Sequence, residues 1–282
     1  MTAISEAVIL MAGEGSRLRG FDKTLLKPFV PVLGRPLICY TIDALIRAGI
    51  KKANFIVGYQ SGRLIAAVKQ LIPSELEPCF IENPEWQKQN GISLLAAVND
   101  LTSPFLLTMS DHLFDQSIVG LLLRNAVLGQ LNLALDRKLD SIFDIDDAMK
   151  VQTQEDRIFK IGKDLTVYDG IDTGLFVCPL DIFDYLERVK SRSRGRDCSL
   201  ADGVRLMASE DKARAVDIGD AWWQDIDTIA MLACAETQLR SRLARHDIVT
   251  ATARPDRGNR AENQAGTGNN HPKMKDPLGQ AE

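Results

Sequence analysis

The stretch EAVILMAGEGSRLRG, residues 6–20, decides the reading of this chain. Its first half is a short apolar run that reads as a strand, and this strand runs straight into Gly13-Glu14-Gly15-Ser16-Arg17-Leu18. Two glycines let the backbone turn sharply and let its N–H groups approach a phosphate with no Cβ in the way. Arg17 adds a fork of donors, and Lys27 adds a second cation ten residues later. From the glycines alone, a strand-ending turn with solvated cations reads equally well. A P-loop is excluded because no Gly-Lys-Ser/Thr follows. A dinucleotide fingerprint fits badly, since Leu18 stands where its third glycine belongs and a long loop replaces the immediate helix.

Outward from this loop, residues 21–35 are punctuated by Pro28, Pro31 and Gly34. A helix is expected after Pro36, with Leu37, Ile38, Ile42, Leu45 and Ile46 at helical spacing and Gly49 as an end signal. Strands are read at 54–59, 79–83 and 105–111, alternating with helices near 62–71 and 92–98. This order predicts an α/β, Rossmann-like architecture, a mainly parallel sheet flanked by helices. Short strands at 133–136, 148–153 and 157–162 read as a small β-rich insertion. A strand at 172–178, a helix after Pro179, a helix at 199–208, a strand at 213–219 and a final helix at about 228–245 complete one domain, residues 1–253. Residues 254–282 hold three Pro, four Gly and four Asn with almost no large apolar side chain, and are expected to be a disordered tail.

The composition narrows the function classes. The chain has 282 residues, 45% of them apolar and 26% charged, enough for a sizeable core. Lys and Arg number 34 against 38 Asp and Glu, a formal charge of -4, so no basic field is available to hold nucleic acid. Apolar runs such as Ala7 to Ala12 and Phe105 to Met109 are strand-length and far short of the ~18 residues that span a bilayer, so no membrane insertion is expected. The N-terminus lacks a basic start followed by an apolar region and cleavage site. Five cysteines, Cys39, Cys79, Cys178, Cys198 and Cys234, are scattered without a CxxC pair. They read as reduced thiols in a cytoplasmic protein.

Two sets of carboxylates stand at positions suited to a metal. Asp111 closes the strand FLLTMS and precedes His112. In an open parallel sheet, ligands sit beyond the carboxyl ends of the strands. Asp225 and Asp227, in WWQDIDT, point to one side of an extended segment. Each has a structural alternative as a helix cap, Asp111 for the next helix and Asp227 for the final one. Magnesium favours hard oxygens and needs only one or two carboxylates when phosphates complete its shell. No Ser/His/Asp or Cys/His constellation is evident.

The run MAGEGSRLRG…LLKPFVPVLGRPLICYTIDALIRAGI resembles the opening signature of the sugar-phosphate nucleotidyltransferases. That family joins a nucleoside triphosphate to a phosphorylated sugar or alcohol and releases pyrophosphate. The resemblance implies the fold of nucleotide-diphospho-sugar transferases and assigns roles residue by residue. Ala12, Gly13, Gly15, Ser16 and Arg17 would wrap the triphosphate, and Lys27 would meet its phosphates. Asp111 and Asp225, with Asp227 as a neighbour, would hold Mg²⁺, and Arg17, Lys27 and Asp111 would carry the catalysis. ENPEWQKQNGISLLAAV at 82–98 resembles the base-binding loop of the family's cytidylyltransferases, which implies Asn90, Gly91 and Ser93 near the base and CTP as the favoured nucleotide; a plain helix start reads as well from composition.

TMSDHLFD at 108–115 and the run DDAMKV…RIFKIGKDLTVYDGIDTGLFVC at 146–178 are similar to inositol-1-phosphate cytidylyltransferases. By that similarity Lys150 and Lys163 would grip the acceptor phosphate, and Asp172 and Thr173 would line the polyol pocket. Each lysine reads equally well as an exposed strand cation, and Asp136 with Arg137 as an acceptor flank or a surface ion pair. The expected reaction is therefore transfer from CTP to inositol 1-phosphate, giving a CDP-alcohol. Some members of that subfamily are fused to a membrane phosphotransferase, and here any downstream phosphotransferase is expected on a separate chain. Hexose 1-phosphate and phosphocholine remain as other acceptors, although adjacent Trp222 and Trp223 are expected to face opposite sides of a strand, which suits an aromatic cage poorly. A non-catalytic nucleotide-binding regulator is the reading from another class.

Overall fold

The computed structural model describes residues 4–15 and 25–252, and only the backbone for 243–252. Ser16, Arg17 and the tail 254–282 lie outside the described residues. The chain divides into two compact units, Met1–Arg240 and Ser241–Glu282. The sheet, its cores and the cavity described below belong to the first.

Strand β1 (Glu6–Leu10) pairs in parallel with β4 (Lys52–Val57) on one side and β6 (Phe105–Met109) on the other, and β4 pairs in parallel with β5 (Glu77–Glu82). Side chains alternate between two cores as a pleated strand requires. Val8 and Leu10 of β1, with Phe105 and Leu107 of β6, face one core, while Ala7, Ile9 and Leu106 face the other. Burial on both faces is why β1 reads as an unbroken apolar run.

Helix α1 (Leu37–Arg47) covers one face, burying Leu37, Ile38, Ile42 and Leu45, and stops where Gly49 turns to φ +87. Pro36 is the residue just before the helix rather than in its first turn. It ends a short hairpin of β2 (Pro31–Val32) and β3 (Arg35–Pro36) within the expected loop. Helices α2 (Ser61–Lys69) and α3 (Asn90–Leu95) complete the alternating half.

The second half corrects the expectation of a mainly parallel sheet. Strand β11 (Gly170–Cys178) joins β6 antiparallel, and β8 (Leu131–Asp136) joins β11 antiparallel. Parallel to β8 runs β12 (Ala213–Asp217), followed by the antiparallel hairpin of β10 (Arg157–Gly162) and β9 (Lys150–Gln154). The sheet is therefore mixed and nine-stranded, in the order β5-β4-β1-β6-β11-β8-β12-β10-β9, with β9 also returning to the first residues of β11. The antiparallel β9–β10 hairpin is the β-rich insertion expected at 148–162, whereas β8, expected in the same insertion, lies between β11 and β12 in the main sheet.

Helices α5 (Ile182–Arg192) and α6 (Leu200–Ser209) pack over this half, the latter started by a capping box between Ser199 and Asp202. The expectations did not include helix α4 (Ser117–Asn125) or strand β7 (His112–Phe114). A two-stranded ribbon pairs β7 with β13 (Trp223–Asp225), and the final helix α7 runs Ile229–Thr252.

Candidate active site

At the carboxyl end of β6 the chain passes Ser110 and Asp111 and turns directly into β7. Strand β13 lies antiparallel on β7 with Asp225 opposite His112, and Ile226 N donates to Asp111 O at 2.8 Å. This ribbon makes neighbours of Asp111 and Asp225. The cap alternatives for both Asp111 and Asp227 are decided here. Helix α4 starts after Gln116, well past Asp111. Thr228 caps α7, its Oγ1 accepting from Met231 N at 3.2 Å, which leaves Asp227 for other work.

That work involves Lys27. Its Nζ donates to Asp111 Oδ2 at 2.6 Å and also to Asp227. Lys27 opens a short 3₁₀ turn, Lys27–Phe29, and Pro28 occupies the turn's first positions. Gly15 has φ +64, and a Cβ added to it would stand 2.8 Å from Lys27 Cβ. The glycine therefore serves the lysine as well as the loop. Asp111 keeps 27% of its side-chain surface, against 13% for Lys27 and 12% for Asp227, so it is the member of the trio most open to a ligand.

On its other oxygen, Asp111 Oδ1 meets His112 Nδ1 at 2.6 Å. The imidazole stacks on the Trp223 indole, centroids 5.8 Å apart at 15°. Trp223 Nε1 donates to Asp136 Oδ2 at 3.0 Å, and Lys138 supplies both its backbone N (2.8 Å) and Nζ (2.7 Å) to Asp136 Oδ1. Gly174, at φ +75 in the irregular part of β11, leaves room for the ring, because a Cβ there would lie 2.6 Å from His112 Nε2. Sequence reasoning passed over His112, Asp136 and Trp223 as a unit. Its only signal was the Asp-His adjacency at 111–112.

The charges are strongly coupled. Burial alone would raise the Asp111 carboxyl, but Lys27 and His112 overcome it and hold the group well below the usual carboxylate range. Burial disfavours charge on Lys27 and on His112, and the facing carboxylates outweigh it, so both are shifted upward. Asp225 is raised, by burial first and then by Asp227 and Asp111, with His112 opposing. Asp172, whose Oδ1 accepts from Gly174 N at 2.7 Å, is pushed up by burial to about 6.

Asp111, His112, Asp172, Asp225 and Asp227 border a cavity of about 410 Å³, and Lys27 lies off its wall, held by two of them. On the side of β1 and β5 its wall holds Leu10, Ala12, Gly13, Trp86, Asn90 and Ser93. On the side of β8 and β11 it holds Asp136, residues 141–144, Asp147, Lys163 and Asp172, with Asp111, His112, Trp222, Trp223, Asp225 and Asp227 also exposed to it. Both tryptophans reach this wall, contrary to the expectation that they face opposite ways, because Trp222 precedes β13 and escapes its alternation.

Several expected residues have other duties. Lys150 is buried, and its Nζ donates to Asp146 O at 3.1 Å and Lys163 O at 2.8 Å, off the cavity wall. Thr173 is fully buried, donating to Ala134 O at 2.8 Å. Gly91 also lies off the wall; a Cβ there would come within 2.6 Å of Cys198 O, so its role is close packing. Lys163 is on the wall and pairs with Asp147. Asn90 lines the cavity while its Oδ1 accepts from Leu200 N at 2.8 Å. Arg137 turns to Asp169 and Asp217.

With this geometry in hand, similarity to known proteins is informative. A family model described as MobA-like NTP transferase domain matches residues 7–137. The "Bifunctional IPC transferase and DIPP synthase" of Aquifex aeolicus is 33% identical over 230 residues, covering 80% of this chain and 49% of that protein. Its namesake in Thermococcus kodakarensis is 34% identical over 222 residues, covering 79% and 48%. The chain thus spans about half the length of the curated relatives it matches. Among solved structures, the inositol-1-phosphate CTP transferase from T. maritima is similar with a TM-score of 0.71 and 27% identity, over 81% of this chain and 91% of that one. A UDP-glucose pyrophosphorylase complexed with UDP-glucose, at 15% identity and TM-score 0.70 over 85% of this chain and 99% of that one, shares the fold. A glycine-turned strand end, a lysine held between two aspartates, and these similarities lead to one conclusion: residues 7–137 match the MobA-like NTP transferase domain family, and the chain as a whole is similar to nucleotidyltransferases.

Proposed function

We propose that this chain transfers the cytidylyl group of CTP to a phosphorylated polyol, inositol 1-phosphate foremost, giving a CDP-alcohol and pyrophosphate. The observation that carries the reading is that Asp111 and Asp227, both on one cavity wall, clasp Lys27 beside the Gly13–Gly15 turn, where a parallel strand ends. The similarity to proteins named for inositol-1-phosphate CTP transfer and IPC transfer supports the choice of nucleotide and acceptor.

The chemistry asks little of a general base. An oxygen of the acceptor phosphate, largely dianionic at neutral pH because its second pKa is ~6, attacks the α-phosphorus of CTP. The new P–O bond forms as the bond to the β-phosphate's bridging oxygen breaks, and pyrophosphate leaves with that electron pair. Two anions must be brought together, so the need is for charge screening and in-line alignment. Lys27, held rigidly by its two carboxylates, supplies a fixed cation. Lys163 is a second, on the acceptor side of the wall. The half-buried, partly unionised Asp172 suits hydrogen bonding to a hydroxyl-rich acceptor.

The donor set fits Mg²⁺. Asp111 and Asp225 offer hard oxygens alone, in a place where three carboxylates face Lys27 and His112 and where Asp225 is disfavoured as an anion. Among the described residues no group of three or more His, Cys, Asp or Glu side chains forms a ready-made cage, in keeping with a metal that relies on substrate phosphates for the rest of its shell. When bound, Mg²⁺ supplies Lewis-acid neutralisation of the triphosphate.

No helix among the described residues is long and apolar enough to cross a membrane. A cytoplasmic location, and a phosphotransferase activity that consumes the product, complete the proposal. Pyrophosphate release tests it, measured across CTP, UTP, dTTP, ATP and GTP against inositol 1-phosphate, glucose 1-phosphate and phosphocholine with Mg²⁺. Turnover is expected to be fastest for CTP with inositol 1-phosphate. A preference for glucose 1-phosphate or phosphocholine would replace the acceptor, and silence in every combination would leave a nucleotide-binding regulator as the better description.

A further inference from the structure

One aromatic side chain on the cavity wall has no part in the chemistry above. Trp86 lies in the connection between β5 and α3, half-buried, on the same side of the cavity as Ala12 and Gly13. Its seat is built with care. A Cβ on Gly58 would overlap Trp86 Cβ and stand 3.0 Å from both Ala12 O and Trp86 Cγ, so the bare glycine at the end of β4 is what lets the indole settle there. Tyr59 braces it edge-on, ring centroids 5.2 Å apart at 64°, while Tyr59 N donates to Ala12 O at 2.9 Å.

The flanks of the connection are tied as well. Asn83 Nδ2 donates to Ser93 Oγ at 3.0 Å, and Asn83 Oδ1 accepts from Glu85 N at 2.9 Å. The indole is thus braced by Tyr59, whose own backbone N–H is bound to the residue before the phosphate-turn glycines, and it forms part of the cavity wall.

We infer that Trp86 is the stacking platform for the nucleobase. The inference rests on the nucleotide reading of the cavity. An indole face recognises a planar heteroaromatic ring whatever its hydrogen-bonding edge, because every base has a π face. Trp86 therefore contributes affinity and leaves the choice among bases to polar groups around it. A saturated polyol phosphate has no ring to stack, so the platform serves the nucleotide alone.

The test is equilibrium binding of CTP and of UTP, each with Mg²⁺ and without acceptor, to the wild type, Trp86→Phe, Trp86→Ala and Gly58→Ala. Trp86→Ala is expected to weaken both nucleotides about tenfold, the lower part of the range for losing one base–aromatic stack, with the CTP-to-UTP ratio unchanged. Trp86→Phe keeps a smaller ring and should lose less. Gly58→Ala, which displaces the indole without removing it, should resemble Trp86→Ala. Quenching of tryptophan fluorescence by CTP should largely vanish in Trp86→Phe. In turnover, the loss should fall on KM for the nucleotide and not on KM for the acceptor, a split that general damage to the fold would not produce. Wild-type affinity in Trp86→Ala overturns the inference, as does a rise in the acceptor KM with the nucleotide KM unmoved. A wild type that binds CTP with Trp86-dependent quenching yet releases no pyrophosphate with any acceptor defeats cytidylyl transfer and supports the platform.

Discussion

Lys27 Nζ lies 2.6 Å from Asp111 Oδ2, joining the segment after the glycine turn to the end of a strand 84 positions further along the chain. Asp227 completes the clasp from the segment before the last helix. Three remote stretches are thereby locked around one charge. Replacing the ammonium by a methyl thioether tests both consequences. Lys27→Met is expected to lower turnover at least ~100-fold through lost charge stabilisation. It should also lower stability, because Asp111 and Asp227 are left without their shared cation. Pyrophosphate release and urea unfolding measure the two effects, and near-normal turnover would remove Lys27 from the reaction.

Asp225 and Asp227 stand two residues apart and answer to different partners. Asp225 faces the cavity with Gln224 Nε2 on its Oδ1 at 3.0 Å, whereas Asp227 is bound to Lys27. Asp225→Asn is expected to cut turnover by two orders of magnitude or more and to shift the Mg²⁺ dependence to higher concentration. Its melting temperature in EDTA should be no lower than wild type, since a half-buried carboxylate beside like charges is lost. Asp227→Asn should instead lower the melting temperature. Identical behaviour of the two variants would contradict the division of labour.

Lys150 distinguishes a phosphate grip from a structural tie. Its ammonium donates to the carbonyls of Asp146 and Lys163, bracing the cavity-lining loop before β9. Lys150→Met keeps most of the stem and should cost about 2 kcal/mol of stability, the scale of hydrogen bonds from a charged donor. If Lys150 instead held the acceptor phosphate, stability would be unaffected and only the acceptor KM would rise.

Asp172 makes stability depend on pH in a defined sense. Its carboxyl is raised from 3.8 to about 6 by burial, so the folded state binds more protons than the unfolded state between those values. The group's contribution to stability therefore falls as pH rises from about 4 to about 6 and stays low above. Asp172→Asn retains an acceptor for Gly174 N and removes the penalty. At pH 7.5 it should be more stable than wild type by up to roughly 3 kcal/mol, reduced by residual solvent access, with no difference near pH 4. Urea unfolding at the two pH values checks this, and a variant less stable at pH 7.5 would refute it.

The parts of the site legible in sequence are those whose chemistry is local. A strand running into Gly13 and Gly15, a carboxylate closing the strand that ends before Asp111, and a second pair at 225 and 227 each announce themselves within a few residues. Gly49 as a helix stop and Ser199 as a helix start are legible for the same reason. Lys150 and Thr173 were misplaced because an isolated strand does not say which of its faces meets a cavity. Lys150 is covered where β9 folds back on β11, and Thr173 where β11 lies against β8.

From its order of residues alone this protein acquires alternating strands and helices, a phosphate-turn motif and the supply of carboxylates, because backbone sterics and hydrophobic period act over short range. Only tertiary structure pairs β13 with β7, sets Lys27 between Asp111 and Asp227, stacks His112 on Trp223 and seats Trp86 over Gly58. Those relationships depend on which surfaces the chain buries against each other, and burial at long range follows from packing the whole domain rather than from any one segment.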